Sequence, residues 1–174
     1  GYMYDCQKEY CVPSVEKYAK KIGAHHEKIN FKVKEDRKHS GWFGAMRFKM
    51  EIFKKFLETD YDAFLFLDLD IEIQDHATDI FEEEEFNKYG FAAQVCCPGR
   101  NLNHRELVKE YTNVTVDQFY NAGVYLSNKK IAEKVVKNIP SDEILYSKEL
   151  ESKNGEIKIR LYDNDERHLG YILH

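Results

Sequence analysis

An α/β fold, with a mainly parallel central sheet flanked by helices, is what this sequence predicts. Three observations carry the prediction. Short apolar runs alternate with stretches of helical periodicity along the chain. The run Ala63 to Leu67 (AFLFL) is unbroken, as expected of a strand buried on both faces under helices. The chain has 174 residues, 43% of them hydrophobic, which suits one core. We therefore expect a single domain over 1–174.

In chain order, Ser14 is placed to cap a helix that runs to Gly23 and carries Val15, Tyr18, Ala19 and Ile22 on one face. Pro13 before it and Gly23 at its end are start and stop signals. A short strand is expected over Lys28 to Val33, followed by a polar loop from Lys34 to Gly44. Met46, Met50, Phe53 and Leu57 then repeat at helical spacing over Ala45 to Glu58. After the Ala63 to Leu67 strand, Ile71-Glu72-Ile73 alternates like a second, shorter one. The acidic run Glu82 to Glu85 reads as a solvated face. Phe91 to Cys97 reads as a buried strand stopped by Pro98 and Gly99, and His104 to Tyr111 as a short helix. Gly123 to Leu126 is an expected strand, Lys129 to Asn138 a helix ending before Pro140, Ile157 to Leu161 a strand, and Asp163 to Leu173 a helix. There is no internal repeat, linker or low-complexity segment.

Composition narrows the function classes. A net charge of -5 lacks the basic footprint of a nucleic-acid binder. No run of 18 apolar residues exists, so no membrane span is expected. Cys6, Cys11, Cys96 and Cys97 fit no structural zinc spacing. They read as small buried hydrophobes in a reducing compartment, which points to the cytoplasm, with a Cys6–Cys11 bridge as the alternative. The opening Gly1-Tyr2-Met3-Tyr4 has no initiator Met, so a trimmed start is expected.

The chemistry centres on Asp68-Leu69-Asp70, where the apolar run ends. In a parallel sheet, ligands sit beyond the carboxyl ends of the strands. Paired carboxylates there favour a hard divalent cation, Mg²⁺ or Mn²⁺, with water and substrate phosphates completing its shell. The bland alternative is a pair of polar residues at the sheet edge. An EF-hand is excluded, because a strand precedes the pair and Ile73 stands where that loop needs Gly. A haloacid-dehalogenase-like phosphatase wants Thr or Val where this chain has Glu72.

The stretch YDAFLFLDLDIEI (Tyr61 to Ile73) resembles the D-x-D strand of GT-A-fold glycosyltransferases. Met46 to Met50 resembles the basic helix start of glycosyltransferase family 6, and Ile73 to Phe81 is similar to its segment after the D-x-D. Phe119 to Asn128 (FYNAGVYLSN) resembles the N-A-G-V strand of family 8. Asp165 to Leu173 (DERHLGYIL) resembles a family 6 motif, with Arg167 and Gly170 standing where that family has Ser and Asn. Together these pieces span about half of the chain.

The resemblance implies a GT-A-like sandwich and a metal-dependent, retaining hexosyltransferase. It implies a UDP-sugar as donor and a hydroxyl of a carbohydrate or glycoconjugate as acceptor. It assigns the metal, Mn²⁺ or Mg²⁺, to Asp68 and Asp70, with Asp68 also touching ribose. Arg47 would take the phosphate side or the donor sugar, with Lys49 beside it; a solvated helix charge paired with Glu51 is the other reading of Arg47. Tyr2 and Tyr4 would lie by the base, as stacking partners or simply as packing. Asn121, Ala122 and Gly123 would line the sugar pocket, or merely turn into a strand. Glu166 falls at the nucleophile position with Asp165 beside it, although Asp163 and Glu166 also read as a capping box. His76 and His168 match motif positions but read as structural, and Trp42 as a loop over the donor or a core anchor. Two other functions stand beside this one: a Mg²⁺-dependent phosphohydrolase and a catalytically idle sugar-nucleotide-binding module.

Overall fold

Tyr125 shows where the core forms. The computed structural model of the protein describes residues 5–29, 42–112, 114–139 and 165–174; the side chains of 42–48, 110–112, 165 and 168 lie outside that description. Tyr125 is fully buried at the centre of strand β3 (Tyr120–Asn128). Its ring stacks on Phe66 of β1 (Ala63–Leu67) at 4.8 Å and on Phe53 of helix α2 (Trp42–Leu57) at 5.4 Å. Phe64 meets both Phe53 and Tyr125 edge-on. Helices α5 (Lys129–Lys137) and α6 (Asp165–Leu173) close this cluster with Ala132, Val135, Leu169 and Ile172. Removing the Phe53 ring would cost about 3–5 kcal/mol, the usual range for a buried phenylalanine.

Among the described residues the sheet has three strands in the order β1-β3-β2, with β2 spanning Phe91–Val95. β3 runs antiparallel to both neighbours. This corrects the expected mainly parallel sheet, and with it the GT-A-like sandwich. The apolar run and its alternation with helices were read rightly as a strand and helical connections. They carry no information on direction, and β3 returns between β1 and β2 instead of adding to an edge. Nor is β1 buried on both faces, since each of its five residues is only partly buried.

Helix α1 (Val12–Ile22) follows a π-helical turn over Gln7–Cys11 and ends at Gly23, whose φ of 69° gives the left-handed cap that glycine favours. Ser14 is not its cap: it lies inside the first turn, donates to the Cys11 carbonyl at 2.7 Å and accepts from the Ile73 amide at 2.9 Å. That second bond explains why Ile71 to Ile73 is not a strand, since the Ile73 amide is spent on a helix side chain. Helix α2 begins at Trp42, so Trp42 and Gly44 lie within a helix and not a loop.

A 3₁₀ turn (Ile80–Glu82) and the short helix α3 (Glu84–Tyr89) lead into β2, and Glu82 to Glu85 are exposed as expected. Pro98 opens helix α4 (Pro98–Thr112), a first-turn position that tolerates proline. α4 carries almost no apolar periodicity, so only its second half was expected from sequence. The expected strands at Lys28 to Val33, beyond Ile29, and at Ile157 to Leu161 fall outside the described residues, as do Tyr2, Tyr4, Asp163 and the loop over 34–41. Among the described residues no helix is long and apolar enough to cross a membrane.

Candidate functional site

The first cluster grows from the end of β1. The Asp68 amide donates to the Gly123 carbonyl at 2.8 Å, which continues the β1–β3 ladder one step past Leu67. Side chains alternate along a strand, so Asp68 shares the face of Phe66, the face that α2 covers. Lys49 of α2 meets it there. Its Nζ lies 3.2 Å from both carboxylate oxygens of Asp68 and donates to the Ala122 carbonyl at 2.9 Å. The same ammonium stands 5.2 Å above the Phe66 ring.

Gly123 makes room for this pair. A Cβ there would come within 3.0 Å of Asp68 Oδ2 and of Asn121 Oδ1, which accepts from the Gly123 amide at 2.8 Å. The chain then turns, and the Ile71 amide donates to the Asp68 carbonyl at 3.2 Å. Asp70 is third in this β-turn and exposed, beside an exposed Leu69. A cleft of about 1070 Å³ opens next to the turn, and Lys49, Asp68, Asp70, Phe66 and Tyr18 are among its lining residues.

Among the expected site residues, the structure thus brings Lys49, Asp68, Asn121, Ala122 and Gly123 together, with Asp70 on the adjoining turn. The roles differ in part from the expectation. Ala122 is buried, and its carbonyl anchors Lys49. Gly123 admits the Asp68 carboxylate. Arg47 lies on α2 and Asp165 at the start of α6, but their side chains lie outside the described set, and Tyr4 lies outside it altogether.

Glu166 belongs to a second cluster, around the point where β2 leaves the sheet. It is buried on α6, with Oε1 2.9 Å from Arg100 Nη1 and Oε2 3.1 Å from His104 Nε2, both on α4. Cys96, just past β2, is buried beside it, fixed by its amide donating to the Phe119 carbonyl at 2.8 Å. Burial pushes the Glu166 carboxyl up. The hydrogen bond with His104, the Arg100 charge, the His104 charge and the Cys96 thiol outweigh this and hold it below the ordinary carboxylate value. Burial, followed by the Glu166 charge and hydrogen bond, pushes the Cys96 thiol up to about 12, so it is a poor nucleophile as it stands.

Both clusters lie toward the same end of the sheet. Asp68 is opposite Gly123 and Cys96 opposite Phe119, four residues along β3, or roughly 13 Å at ~3.3 Å per residue. Sequence reasoning missed Arg100, His104 and Cys96 as partners of Glu166. They stand four residues apart in turn but more than 60 residues from Glu166, a separation that carries no local pattern, and the only trace was four cysteines without a zinc spacing. All four are free thiols, so Cys6 and Cys11 do not form a bridge.

Compared with family models, with curated proteins and with solved structures, the chain matches none of them.

Proposed function

We propose that this chain is a metal-dependent glycosyltransferase that binds a UDP-sugar and passes the sugar to a hydroxyl acceptor. The observation that carries the reading is the turn at the end of β1. There a half-buried Asp68 and an exposed Asp70 border a cleft large enough for a nucleotide sugar.

The donor set suits a hard cation, Mn²⁺ or Mg²⁺. It consists of carboxylates, and Asp68 already receives one cation, the Lys49 ammonium, symmetrically on its two oxygens. Asp68 and Asp70 would hold the metal. Once bound, it would supply charge to the departing diphosphate. Lys49, tethered to the Ala122 carbonyl, would then share its remaining donors between Asp68 and a phosphate oxygen. The missing side chain of Gly123 leaves room for the Asp68 carboxylate, and Asn121 Oδ1 accepts from the Gly123 amide beside it. The reading rests on this pair and not on Glu166, because both oxygens of Glu166 are engaged by Arg100 and His104.

Calorimetry tests the binding. UDP should bind the wild type in Mn²⁺ at least tenfold more tightly than in EDTA, and Asp70→Ala should abolish the difference. Incubation with UDP-glucose or UDP-galactose and Mn²⁺ should release UDP slowly, water being a poor acceptor. Metal-independent UDP binding would sink the proposal. Turnover of a simple phosphomonoester without cleavage of a UDP-sugar would replace it with the phosphohydrolase.

A further inference from the structure

The second cluster is unexplained by any role for the Asp pair. Three side chains of unlike chemistry, two of them close in sequence and the third more than 60 residues on, converge where little solvent reaches them. Cys96, His104 and Glu166 are 7%, 6% and 6% exposed, and one donor atom from each lies within 4.8 Å of the other two. Burial of a thiol, an imidazole and a carboxylate together is costly unless they satisfy one another or a shared ligand.

We propose that Cys96 Sγ, His104 Nε2 and Glu166 Oε2 form a binding site for a borderline-soft divalent transition metal of the zinc type. The proposal is independent of the one for Asp68 and Asp70, whose all-oxygen donors select a harder ion. The geometry is close to what such an ion requires. In a tetrahedral site with bonds of about 2.0–2.3 Å, neighbouring donor atoms stand roughly 3.3–3.7 Å apart. His104 Nε2 and Glu166 Oε2 are already 3.1 Å apart, and the 4.8 Å bound on the thiolate requires at most a small closure. Three protein donors leave the fourth position to water or a ligand.

The charges also fit. Binding breaks the Cys96 S–H bond and the hydrogen bond from His104 Nε2–H to Glu166 and forms bonds from the metal to sulfur, nitrogen and oxygen; the thiol proton passes to solvent and the Nε2 proton is exchanged for one on Nδ1, without any change of oxidation state. The thiolate and the Glu166 carboxylate then balance the two positive charges of the ion. Arg100 stays on the other carboxylate oxygen, Oε1, where it fixes the orientation of the ligand as an outer partner. Its side chain is 54% exposed, so solvent screens its repulsion of the ion.

One feature sets the strength. With the metal on Nε2 the imidazole proton must sit on Nδ1, which is buried with no hydrogen-bond partner. A histidine ligand lacking that outer partner binds metal roughly 10–100-fold more weakly than a supported one. The site should therefore be occupied in the presence of free metal and emptied readily by chelators.

Cobalt(II) titration of the chelator-treated full chain tests this. We expect one equivalent to give the intense visible bands of a tetrahedral ion together with a thiolate-to-cobalt charge-transfer band, and zinc to displace both. Cys96→Ser should remove the charge-transfer band and weaken binding at least tenfold. Cys97→Ser, which changes the exposed neighbour, should leave the band in place, and so should Asp70→Ala. Absence of the band from the wild type overturns the proposal, as does its survival in Cys96→Ser or its loss in Cys97→Ser. The wild-type spectrum decides even where a variant fails to fold.

Discussion

Gly123 is the residue on which the Asp pair depends most directly, although it carries no functional group. Adding a methyl there would crowd Asp68 Oδ2 and Asn121 Oδ1 at 3.0 Å. The atoms it meets are ends of side chains, so they can yield. We expect Gly123→Ala to fold with a loss of about 1 kcal/mol or less, yet to weaken metal-dependent UDP binding several-fold, because the Asp68 carboxylate is pushed from its place. Parallel melting curves and UDP titrations check this. Asp68 and Asp70 were legible in the sequence because carboxylates ending an apolar run are out of place in any core. The rest of the site was legible as Lys49, through the resemblance, and as small residues at a strand start. That Gly123 serves the Asp68 carboxylate and Lys49 the Ala122 carbonyl depends on the β1–β3 register, which no local pattern encodes. The cluster around Glu166 is further from reach, since α4, β2 and α6 meet there only through tertiary packing.

At the scale of elements, α1 acts as a splint for the segment that follows the Asp pair. Tyr18 donates to the Thr78 carbonyl at 2.7 Å and accepts from the Ile80 amide at 2.9 Å, while Lys21 reaches the carbonyls of Asp75 and Ala77. Ser14 takes the Ile73 amide, and Lys17 pairs with Asp75. Tyr18→Phe should cost about 1–3 kcal/mol by leaving two backbone groups unsatisfied, read as a lower urea midpoint at neutral pH. Burial, aided by the charges of Asp79 and Glu83 and opposed by the Ile80 amide, raises the Tyr18 phenol above its ordinary value of 10.0. The folded state thus holds that proton more tightly than the unfolded one. Its contribution is complete below pH 10 and fades as pH rises above it. Wild type should lose stability more steeply than Tyr18→Phe above pH 10. The helix was legible from its apolar face and Gly23. Its use as a splint was not, because Ser14, Lys17 and Lys21 lie on the face that periodicity treats as solvent, and the apolar pattern counts Tyr18 as a packing ring without regard to its hydroxyl.

For the whole molecule, the three strands of the sheet and the longer amphipathic helices were legible, whereas strand direction, the helix at Glu84–Tyr89 and the absence of a strand at Ile71 to Ile73 were not. The short apolar runs announced β1, β2 and β3, but β3 fits between the others against the expected direction. Docking of α6 onto this arrangement depends on Gly170, where a Cβ would come within 2.4 Å of the buried Phe119 ring. In an exposed helix Gly→Ala gains about 1 kcal/mol. Here we expect Gly170→Ala to reverse the sign and destabilise by about 1–3 kcal/mol through overpacking, checked by denaturant unfolding.

The central place of β3 also has a consequence for synthesis. Ala63 to Leu67 find their described partners only among Val124 to Asn128, and β2 pairs only with the same strand. Among the described residues, a nascent chain that has not yet reached Tyr120 therefore holds two apolar strands and no partner strand for either. Until the ribosome delivers β3, Phe64 to Leu67 lack the strand that pairs them in the described fold, and an unpaired strand is one that another nascent chain can pair with. The interval between the making of β1 and of β3 is thus a period of exposure to aggregation, and a pause before residue 120 would lengthen it.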